Sequence, residues 1–450
     1  MKWRQVLTLL LPLTLWHLSM GQSPEATLCK AAETASRRPV WQGKDGWLFE
    51  PADLIETLEL EPVQPYLSRL SQAFNYQGIT LVAVIVPTRG MVHSEMMDPA
   101  KPIFEAHSGA KAVAEYRRFL ALFHEANIIA PDLIEVAHED EGAFFFKRDH
   151  HWSSVGARAT AEAVARHLYP MPSYIELEIE QETHPFRTKA VGSEPQMGTL
   201  QRRAEQFCGV RFPKEYVKVF STDLVVQGSS PGEALFADLG SPPVALVGTS
   251  NSQRPRDKPP LNFDGFLRDY LGLEVLNAAF AAAGVHGSLL AYLSSDDYLE
   301  QPPKFVIWES LLSIWHNHES VIGEQRQVIP SIYGPCAPED SLIQGRVEAS
   351  NAQEIEVLQN IANLPVYDHN HFLYLEMIDR TLVDFTLVLI HQNGQQDRVR
   401  VERSTRAPNS GRFFLELSDE IRAPLESVSL ITAAGTSGEI IARICQVPTS

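Results

Sequence analysis

The sequence predicts an α/β fold built on a mostly parallel sheet with helices on both faces, followed by an all-β domain. Short apolar segments alternate with helical patterns up to about residue 310, which is the order expected for a parallel sheet. The segment at residues 81–86 is continuously apolar, as in a strand that is buried on both faces. Beyond residue 335 the helical spacing gives way to many short strand-like segments. With 450 residues, the chain is long enough for both parts.

The strands and helices of the first part are read from its apolar pattern. The predicted strands are residues 81–86, 127–130, 244–247, 274–276 and 305–308. Helices are predicted where apolar residues recur every three or four positions, in residues 113–123, 157–168, 263–270 and 289–298. Ser153 or Ser154 is the expected N-cap of the second of these helices. Residues 170–240 interrupt the alternation, so we interpret them as an insertion whose role the composition does not indicate.

The second part is predicted to be a β-sandwich. Its expected strands are residues 342–347, 372–377, 382–390, 398–403, 413–417, 428–431 and 440–447. Polar and apolar residues alternate clearly in residues 398–403, and Asn393-Gly394 supplies a turn signal. About seven short strands within about 110 residues is the pattern of a sandwich domain.

The N-terminus has the pattern of a secretory signal. Lys2 and Arg4 precede an apolar stretch at residues 6–18, and the residues up to Gly21 are compatible with cleavage there. The alternative is a membrane anchor, but an apolar core of about 13 residues is shorter than the ~20 that span a bilayer. We therefore expect residues 1–21 to be a signal peptide, 22–335 an α/β domain and 336–450 the β-sandwich.

The cysteines and the net charge restrict the chemistry further. Four cysteines, an even number, suggest disulfides in an exported chain. Three connectivities are possible, and we prefer Cys29–Cys208 with Cys336–Cys445 because each bridge then stays within one predicted domain. Lys and Arg total 38 against 56 Asp and Glu, which gives a net charge of −18. This charge argues against general binding of nucleic acid or anionic membranes.

Two short segments carry residues suited to acyl transfer. In an extended segment, Asp149 and His151 point to the same side, so the carboxylate can fix the imidazole tautomer and leave the other nitrogen as a base. Ser250 follows the predicted strand 244–247, and open parallel sheets carry their sites at the carboxyl ends of strands. The simpler interpretation is that these are ordinary loop residues, and Ser252 is a rival nucleophile.

Two other motifs are weaker candidates. Residues 228–232 match the Gly-x-Ser-x-Gly elbow of hydrolases, in which the residue after the serine donates its N–H to the oxyanion. Here that residue is Pro231, which has no N–H, so Ser230 is not the expected nucleophile. A metal site formed by Asp149, His150 and His151 is a further alternative. We expect no metal, because adjacent histidines diverge in an extended chain.

Together, these residues resemble the SGNH hydrolase superfamily in a circularly permuted order, because Asp149 and His151 precede Ser250. The order is similar to that of the AlgX/AlgJ group of alginate O-acetyltransferases. Further similar segments are residues 44–49 (KDGWLF), 86–91 (VPTRGM) and 302–309 (PPKFVIWE). The resemblance extends over residues 29–312, and the β-rich tail resembles a carbohydrate-binding module.

The resemblance implies a specific reaction and specific roles. Acetyl groups would pass to hydroxyls of an exported polyuronate, such as the mannuronate residues of alginate, through an acetyl-Ser250 intermediate. His151 would be the general base and Asp149 its orienting carboxylate. Gly284 lies where a backbone N–H would bind the oxyanion, whereas Glu309 falls where related enzymes carry an asparagine donor. A polysaccharide acetyl-esterase with the same triad and a non-catalytic polymer-binding scaffold are the alternatives.

The resemblance also implies a setting. The expected partners are an acidic, alginate-like polysaccharide, a membrane acetylation complex that supplies the acetyl group, and other exopolysaccharide secretion proteins. The expected location is the periplasm. We expect a monomer that needs no cofactor and binds no nucleic acid.

Arginines are the candidate polymer ligands. Guanidinium groups pair with carboxylates in bidentate fashion, so a cluster of them in the tail predicts a positive strip for a polyuronate. The cluster consists of Arg398, Arg400, Arg403, Arg406 and Arg412. The alternative is an ordinary solvated strand face. Arg89, at the carboxyl end of the strand 81–86, is expected either to face the crevice and bind uronate or to form a surface salt bridge.

Overall fold

A computed structural model describes residues 28–58, 63–139, 142–180, 185–225, 241–254, 261–315 and 318–448. The proposed signal peptide and the motif at residues 228–232 lie outside these described residues. In the described part of the chain, no helix combines the length and the apolar character needed to cross a membrane.

Parallel strands form the sheet of the first part, as the apolar segments predict. The strands, in chain order, are β1 (Trp41–Gln42), β2 (Leu48–Phe49), β3 (Thr80–Val86), β4 (Phe186–Gln196), β5 (Glu215–Leu224), β6 (Val244–Val247), β7 (Val275–Asn277) and β8 (Phe305–Leu311). The central sheet has the order β3-β8-β6-β7, and all three pairings are parallel. Residues 127–130 contribute only an isolated parallel bridge, between Val82 and Ile129, and not the full strand that the sequence predicts.

Helices cover both faces of this sheet. They are α1 (Lys30–Glu33), α2 (Val63–Tyr76), α3 (Arg89–Val92), α4 (Pro102–Glu105), α5 (Gly109–Glu125), α6 (Leu133–Val136), α7 (Ser154–Leu168), α8 (Pro172–Ile179), α9 (Thr199–Cys208), α10 (Phe263–Leu271), α11 (Gly287–Leu293), α12 (Asp296–Glu300) and α13 (His318–Tyr333). Successive residues of β3 alternate between two hydrophobic cores, one shared with α2, α5 and α13 and the other with α7 and α10. This burial on both faces explains why β3 is apolar from Leu81 to Val86.

Local signals explain where some helices begin. Helix α7 starts after Ser153, whose hydroxyl oxygen accepts hydrogen bonds from the N–H groups of Val155 and Gly156. The apolar pattern at residues 289–298 belongs to two helices, α11 and α12, and not to one. Ser295 caps the second of them by accepting from the Tyr298 N–H.

The C-terminal part is antiparallel and contains six strands. They are β9 (Ile343–Gln359), β10 (His371–Met377), β11 (Asp384–His391), β12 (Gln396–Glu402), β13 (Arg412–Glu416) and β14 (Leu425–Gln446). The segments 428–431 and 440–447, predicted as separate strands, both lie largely in β14. The first half of β14 pairs with β11 and the second half with β10, while β9 follows both halves. All six strands contribute to one hydrophobic core.

Each part contains one disulfide, and ionic contacts join the two parts. The disulfides are Cys29–Cys208 and Cys336–Cys445, the pairing preferred from the sequence. Arg326 of α13 forms a bidentate pair with Asp397 and donates to the carbonyl oxygen of Glu416. Arg69 of α2 pairs with the Glu416 carboxylate at 2.8 Å. The tail therefore packs directly against helices of the parallel-sheet part.

Candidate active site

A tight turn at the carboxyl end of β6 presents Ser250. The turn begins at Gly248, where a Cβ would lie 2.6 Å from the Glu309 carboxylate, so only glycine fits this position. Glu309 lies on β8, the strand next to β6. Its carboxylate accepts hydrogen bonds from the Thr249 N–H at 2.7 Å, the Thr249 hydroxyl at 2.9 Å and the Ser252 hydroxyl at 3.0 Å. One buried carboxylate thus holds the turn that carries Ser250.

Glu309 is fully buried, and burial raises the pKa of its carboxyl group, while the bonds from Thr249 and Ser252 oppose that rise. The sequence places Glu309 where an asparagine oxyanion donor is common, but here the side chain accepts hydrogen bonds. Ser252, the rival nucleophile, is 2% exposed and is committed to Glu309. The turn therefore offers Ser250 to solvent and keeps Ser252 inside.

The segment that precedes α7 brings His151 to this turn. The Asn251 side-chain oxygen accepts from the Trp152 N–H at 3.2 Å, and the indole N–H of Trp152 donates to the Asn251 carbonyl oxygen at 3.1 Å. Trp152 is completely buried. Since Asn251 and Trp152 are the immediate neighbours of Ser250 and His151, these two bonds fix the distance between the two segments.

Asp149, His151 and Ser250 form a hydrogen-bonded relay. His151 Nδ1 lies 2.5 Å from Asp149 Oδ1, and His151 Nε2 lies 2.8 Å from Ser250 Oγ. With Nδ1 carrying the hydrogen that it donates to the carboxylate, Nε2 is left to accept the hydrogen of the serine hydroxyl. The structure thus brings together the three residues that the sequence singles out.

The predicted insertion supplies a further hydrogen-bond donor to Asp149. The Thr199 N–H, at the first turn of α9, donates to Asp149 Oδ2 at 2.8 Å. Gly198 lets α9 approach this closely, because a Cβ there would lie 2.0 Å from the carbonyl oxygen of Arg148. Burial alone would raise the pKa of the Asp149 carboxyl group, but hydrogen bonds and charge from His151 hold that pKa well below its usual value. Asp149 therefore remains ionised opposite His151.

His150 lies beside the relay. Its ring centroid is 4.1 Å from that of His151, so the expectation that adjacent histidine side chains diverge is wrong here. Burial and the neighbouring His151 lower the pKa of His150 to about 4, which leaves it neutral at physiological pH. Asp149, His150 and His151 lie close enough to hold a metal ion. However, His151 Nδ1 is engaged with Asp149 and His151 Nε2 with the Ser250 hydroxyl, so both nitrogens of His151 already belong to the relay.

Arg89 does not meet its expectation, whereas the role of Gly284 stays a prediction. Arg89 is 1% exposed, and its guanidinium donates to the carbonyl oxygens of Leu48 and Lys147 and approaches Asp53 at 3.4 Å. It is therefore neither a surface ion pair nor available to a uronate. Gly284 takes a left-handed backbone conformation, with φ of 65°, and the atom nearest to its Cβ position is a carboxylate oxygen of Glu324 on α13. No described contact joins Gly284 to Ser250.

The tail arginines do not form one strip. Arg398 and Arg400 lie on the exposed face of β12, and Arg400 is paired with both Asp384 and Glu402. Arg403 packs over the Phe413 ring, and burial lowers its pKa to about 10. The other two point at the parallel-sheet part: Arg412 pairs with Asp296, and Arg406 approaches the carbonyl oxygen of Ala281. These arginines are close in the sequence, but beyond the end of β12 their side chains lie in different places.

A cavity of about 520 Å³ lies between the parallel-sheet part and the tail, near the turn that carries Ser250. Gln253 and Asn277 line it from the sheet, and Arg380, Arg406 and Asn409 line it from the tail. Gln253 is three residues beyond Ser250, and its N–H donates to the Thr249 carbonyl oxygen. Arg380, which the sequence analysis missed, lies in the loop between β10 and β11 and has no pattern that would mark it. The cavity therefore lies between the tail and the segment that follows the Ser250 turn.

Comparison with known proteins agrees with this architecture. A family model described as "SGNH hydrolase-like domain, acetyltransferase AlgX" matches residues 40–311. The alginate biosynthesis protein AlgX of Pseudomonas aeruginosa is 32% identical over 440 residues, covering 94% of this chain and 89% of that protein. The probable alginate O-acetylase AlgJ of the same organism is 28% identical over 280 residues, covering 59% of this chain and 68% of that protein.

A solved structure of P. aeruginosa AlgX is also similar, with a TM-score of 0.79 and 29% identity over 94% of this chain and all of that one. The similarity therefore includes the C-terminal antiparallel part as well as the parallel sheet. From the family model and these full-length similarities, we conclude that the chain belongs to the AlgX family of SGNH hydrolase-like proteins.

Proposed function

We propose that this protein transfers acetyl groups to hydroxyls of an alginate-like polyuronate in the periplasm. The observation that carries the proposal is the relay from Asp149 through His151 to Ser250, set at the carboxyl end of a central parallel strand. Relatives named for alginate biosynthesis and alginate O-acetylation support the choice of polymer. The two disulfides support an oxidising compartment, such as the periplasm.

The reaction proceeds in two half-reactions. His151 Nε2 takes the hydroxyl proton as Ser250 Oγ attacks the donor carbonyl, and the leaving group departs with that proton. The Ser250 N–H at the turn is the group we expect to bind the oxyanion, with Gly284 as the second donor proposed from the resemblance. A sugar hydroxyl then attacks the acetyl-Ser carbonyl and gives its proton to His151. The bond from that carbon to Ser250 Oγ breaks, and His151 returns the proton to Oγ. Asp149, ionised and buried, stabilises the imidazolium in both steps.

The cavity next to Gln253 is the proposed site for the polymer. Arg380 and Arg406 are both exposed at its tail side, and guanidinium groups suit the carboxylate on every residue of a polyuronate. Asp296 and Asp297 also line the cavity, and Arg412 pairs with Asp296 at 2.7 Å. The tail would then present the polymer to the acetyl-serine. A membrane acetylation complex and other secretion proteins remain the proposed partners.

The test uses a chromogenic acetyl ester and defined mannuronate oligomers. Wild-type protein should release the chromophore in a burst and gain one acetyl group on Ser250, visible by mass spectrometry. Ser250→Ala should show neither, with an unchanged melting temperature. Ser252→Ala should still form acetyl-Ser250, though more slowly, because Ser252 bonds Glu309 and not His151. Burst and labelling in Ser250→Ala would overturn the proposal.

The second half-reaction separates transferase from esterase. Added oligomers should accelerate loss of the acetyl group from the enzyme and appear as acetylated sugars. If the acetyl group is released only as free acetate whatever oligomer is present, the protein is an esterase with the same relay. If no acetyl-enzyme forms with any ester, the protein is better described as a polymer-binding scaffold.

A further inference from the structure

A second cavity, of about 330 Å³, lies on the other side of the relay from the first. Val86, the last residue of β3, Thr88, two residues beyond it, and Leu311, at the end of β8, form part of its wall. The sheet order β3-β8-β6-β7 puts the Ser250 turn between this cavity and the first one, which adjoins the end of β7. The candidate nucleophile is therefore flanked by two separate openings at one edge of the sheet.

Two residues connect the second cavity with the relay. His150 lines it and stacks beside the His151 ring, with 4.1 Å between ring centroids. Thr199 also lines it, and its N–H is the one that donates to Asp149. A molecule held in this cavity would thus lie next to the general base, on the side away from the tail.

The arginines that line this cavity differ in whether they already have partners. The Arg89 guanidinium is taken up by two backbone carbonyls, and Arg203 pairs with Glu50 at 2.8 Å. Arg38 is exposed, lines the cavity and makes no ion pair with any described residue. Its backbone is in the left-handed region, with φ of 56°, and its carbonyl oxygen faces Arg203 Nη1 at 3.5 Å. A non-glycine residue held in that conformation is often part of a binding site.

We propose that this second cavity binds the leaving group of the acetyl donor, and that the donor is an acetyl ester or thioester whose leaving group carries a negative charge that Arg38 recognises. The inference rests on the proposed function and adds a donor site separate from the polymer cavity. On a chain with a net charge of −18, an unpaired guanidinium at a cavity mouth is a local attraction for an anion. Two openings let the polymer stay in place while donors exchange.

The donor step balances without any further reactant. Ser250 Oγ forms a bond to the carbonyl carbon, and the bond from that carbon to the donor oxygen or sulfur breaks. The serine proton moves to His151 Nε2 and from there to the leaving group, which departs from the side lined by His150.

The experiment compares two esters with matched leaving groups: 4-nitrophenyl acetate, and 5-acetoxy-2-nitrobenzoate, which adds one carboxylate. The measured quantity is kcat/KM for acetylation of Ser250. Wild-type protein should prefer the charged ester, and Arg38→Gln should lose about fivefold on that ester with no change on the neutral one. Arg37→Gln is the matched control, because Arg37 is exposed, adjacent and not in the cavity wall.

The outcomes separate this inference from the proposed function. If Arg37→Gln and Arg38→Gln lose kcat/KM on the charged ester equally, the preference comes from general surface charge. That result would overturn the proposed donor site. So would a loss in Arg38→Gln confined to use of uronate oligomers, since the cavity would then hold the acceptor. In both cases acetyl-Ser250 still forms, and the proposed function stands. Failure of wild-type protein to acetylate Ser250 with either ester would overturn both.

Discussion

Replacing Glu309 should disturb the turn that carries Ser250 without removing any residue of the relay. Glu309→Ala leaves the Thr249 N–H, the Thr249 hydroxyl and the Ser252 hydroxyl without their acceptor. Each buried donor left unpaired costs about 1–3 kcal/mol, so we expect a loss in the free energy of unfolding of about 3–5 kcal/mol after partial relaxation. The Ser250 hydroxyl should also lose its alignment with His151.

The kinetic effect should exceed what unfolding explains. A displacement of about 1 Å in a reacting group costs about a hundredfold in rate, and we expect a loss of that size in kcat for acetylation by Glu309→Ala. Glu309→Gln keeps one acceptor oxygen and nearly the same volume, so its loss should be nearer tenfold. The assay is burst kinetics with a chromogenic ester, run well below each variant's melting temperature, with the folded fraction determined by circular dichroism.

A purely structural role predicts a different pattern. Both variants would then lower the melting temperature but acetylate at the wild-type rate per folded molecule, and the Gln and Ala variants would differ only in stability. Glu309→Ala protein that is folded and forms acetyl-Ser250 at the wild-type rate would refute the positioning argument. Thr249→Val, which removes one hydroxyl and keeps the N–H bond to Glu309, should give an intermediate rate.

Four further changes have defined outcomes. Asp149→Asn should lower kcat for acetylation about a thousandfold or more, because the imidazole loses the carboxylate that orients it; a burst of normal rate would contradict this. Removing the Cys29–Cys208 bridge by double serine substitution should cost about 2–5 kcal/mol in chemical denaturation, since it closes a long loop. Arg406→Gln should raise the KM for uronate oligomers in the second half-reaction and leave ester acetylation unchanged. Burial raises the pKa of Glu416 to about 7, so its contribution to stability falls as the pH rises from about 4.5 to about 7; Glu416→Gln should therefore melt higher relative to wild-type protein at pH 8 than at pH 5, and an equal difference at both pH values would contradict this.

The sequence predicts the fold of this chain well where short-range patterns decide it. The apolar segments at residues 81–86, 244–247 and 305–308 are parallel strands because burial on both faces requires apolar residues throughout. The segment 127–130 is apolar after Asn127 but forms a single bridge, since hydrogen bonding to a neighbouring strand depends on residues far away in the chain. The merging of two predicted strands into β14 has the same cause: a register irregularity between Ile431 and Gly438 interrupts the apolar pattern but not the strand.

The residues of the candidate site also divide into those that a local pattern predicts and those that depend on distant parts of the chain. Ser250 and His151 are each defined by a local relation to one element, the end of a strand and the start of a helix, and both lie where that relation predicts. Arg89 follows a strand in the same way, yet its long side chain turns inward to the carbonyl oxygens of Leu48 and Lys147. Those acceptors are 41 and 58 residues away in the chain, so no local pattern announces them.

The predicted insertion is part of the site and not an appendage to it. Helix α9 begins at the residue whose N–H holds Asp149 Oδ2, and it ends at Cys208, which is bridged to Cys29. The carboxylate that bonds His151 is therefore fixed by three segments that are far apart in the chain. Since Asp149 is almost completely buried, losing the Thr199 bond would leave one of its oxygens without the partner seen here. A shortened chain without residues 185–225 would thus keep Ser250 and His151 but lose the geometry of their relay.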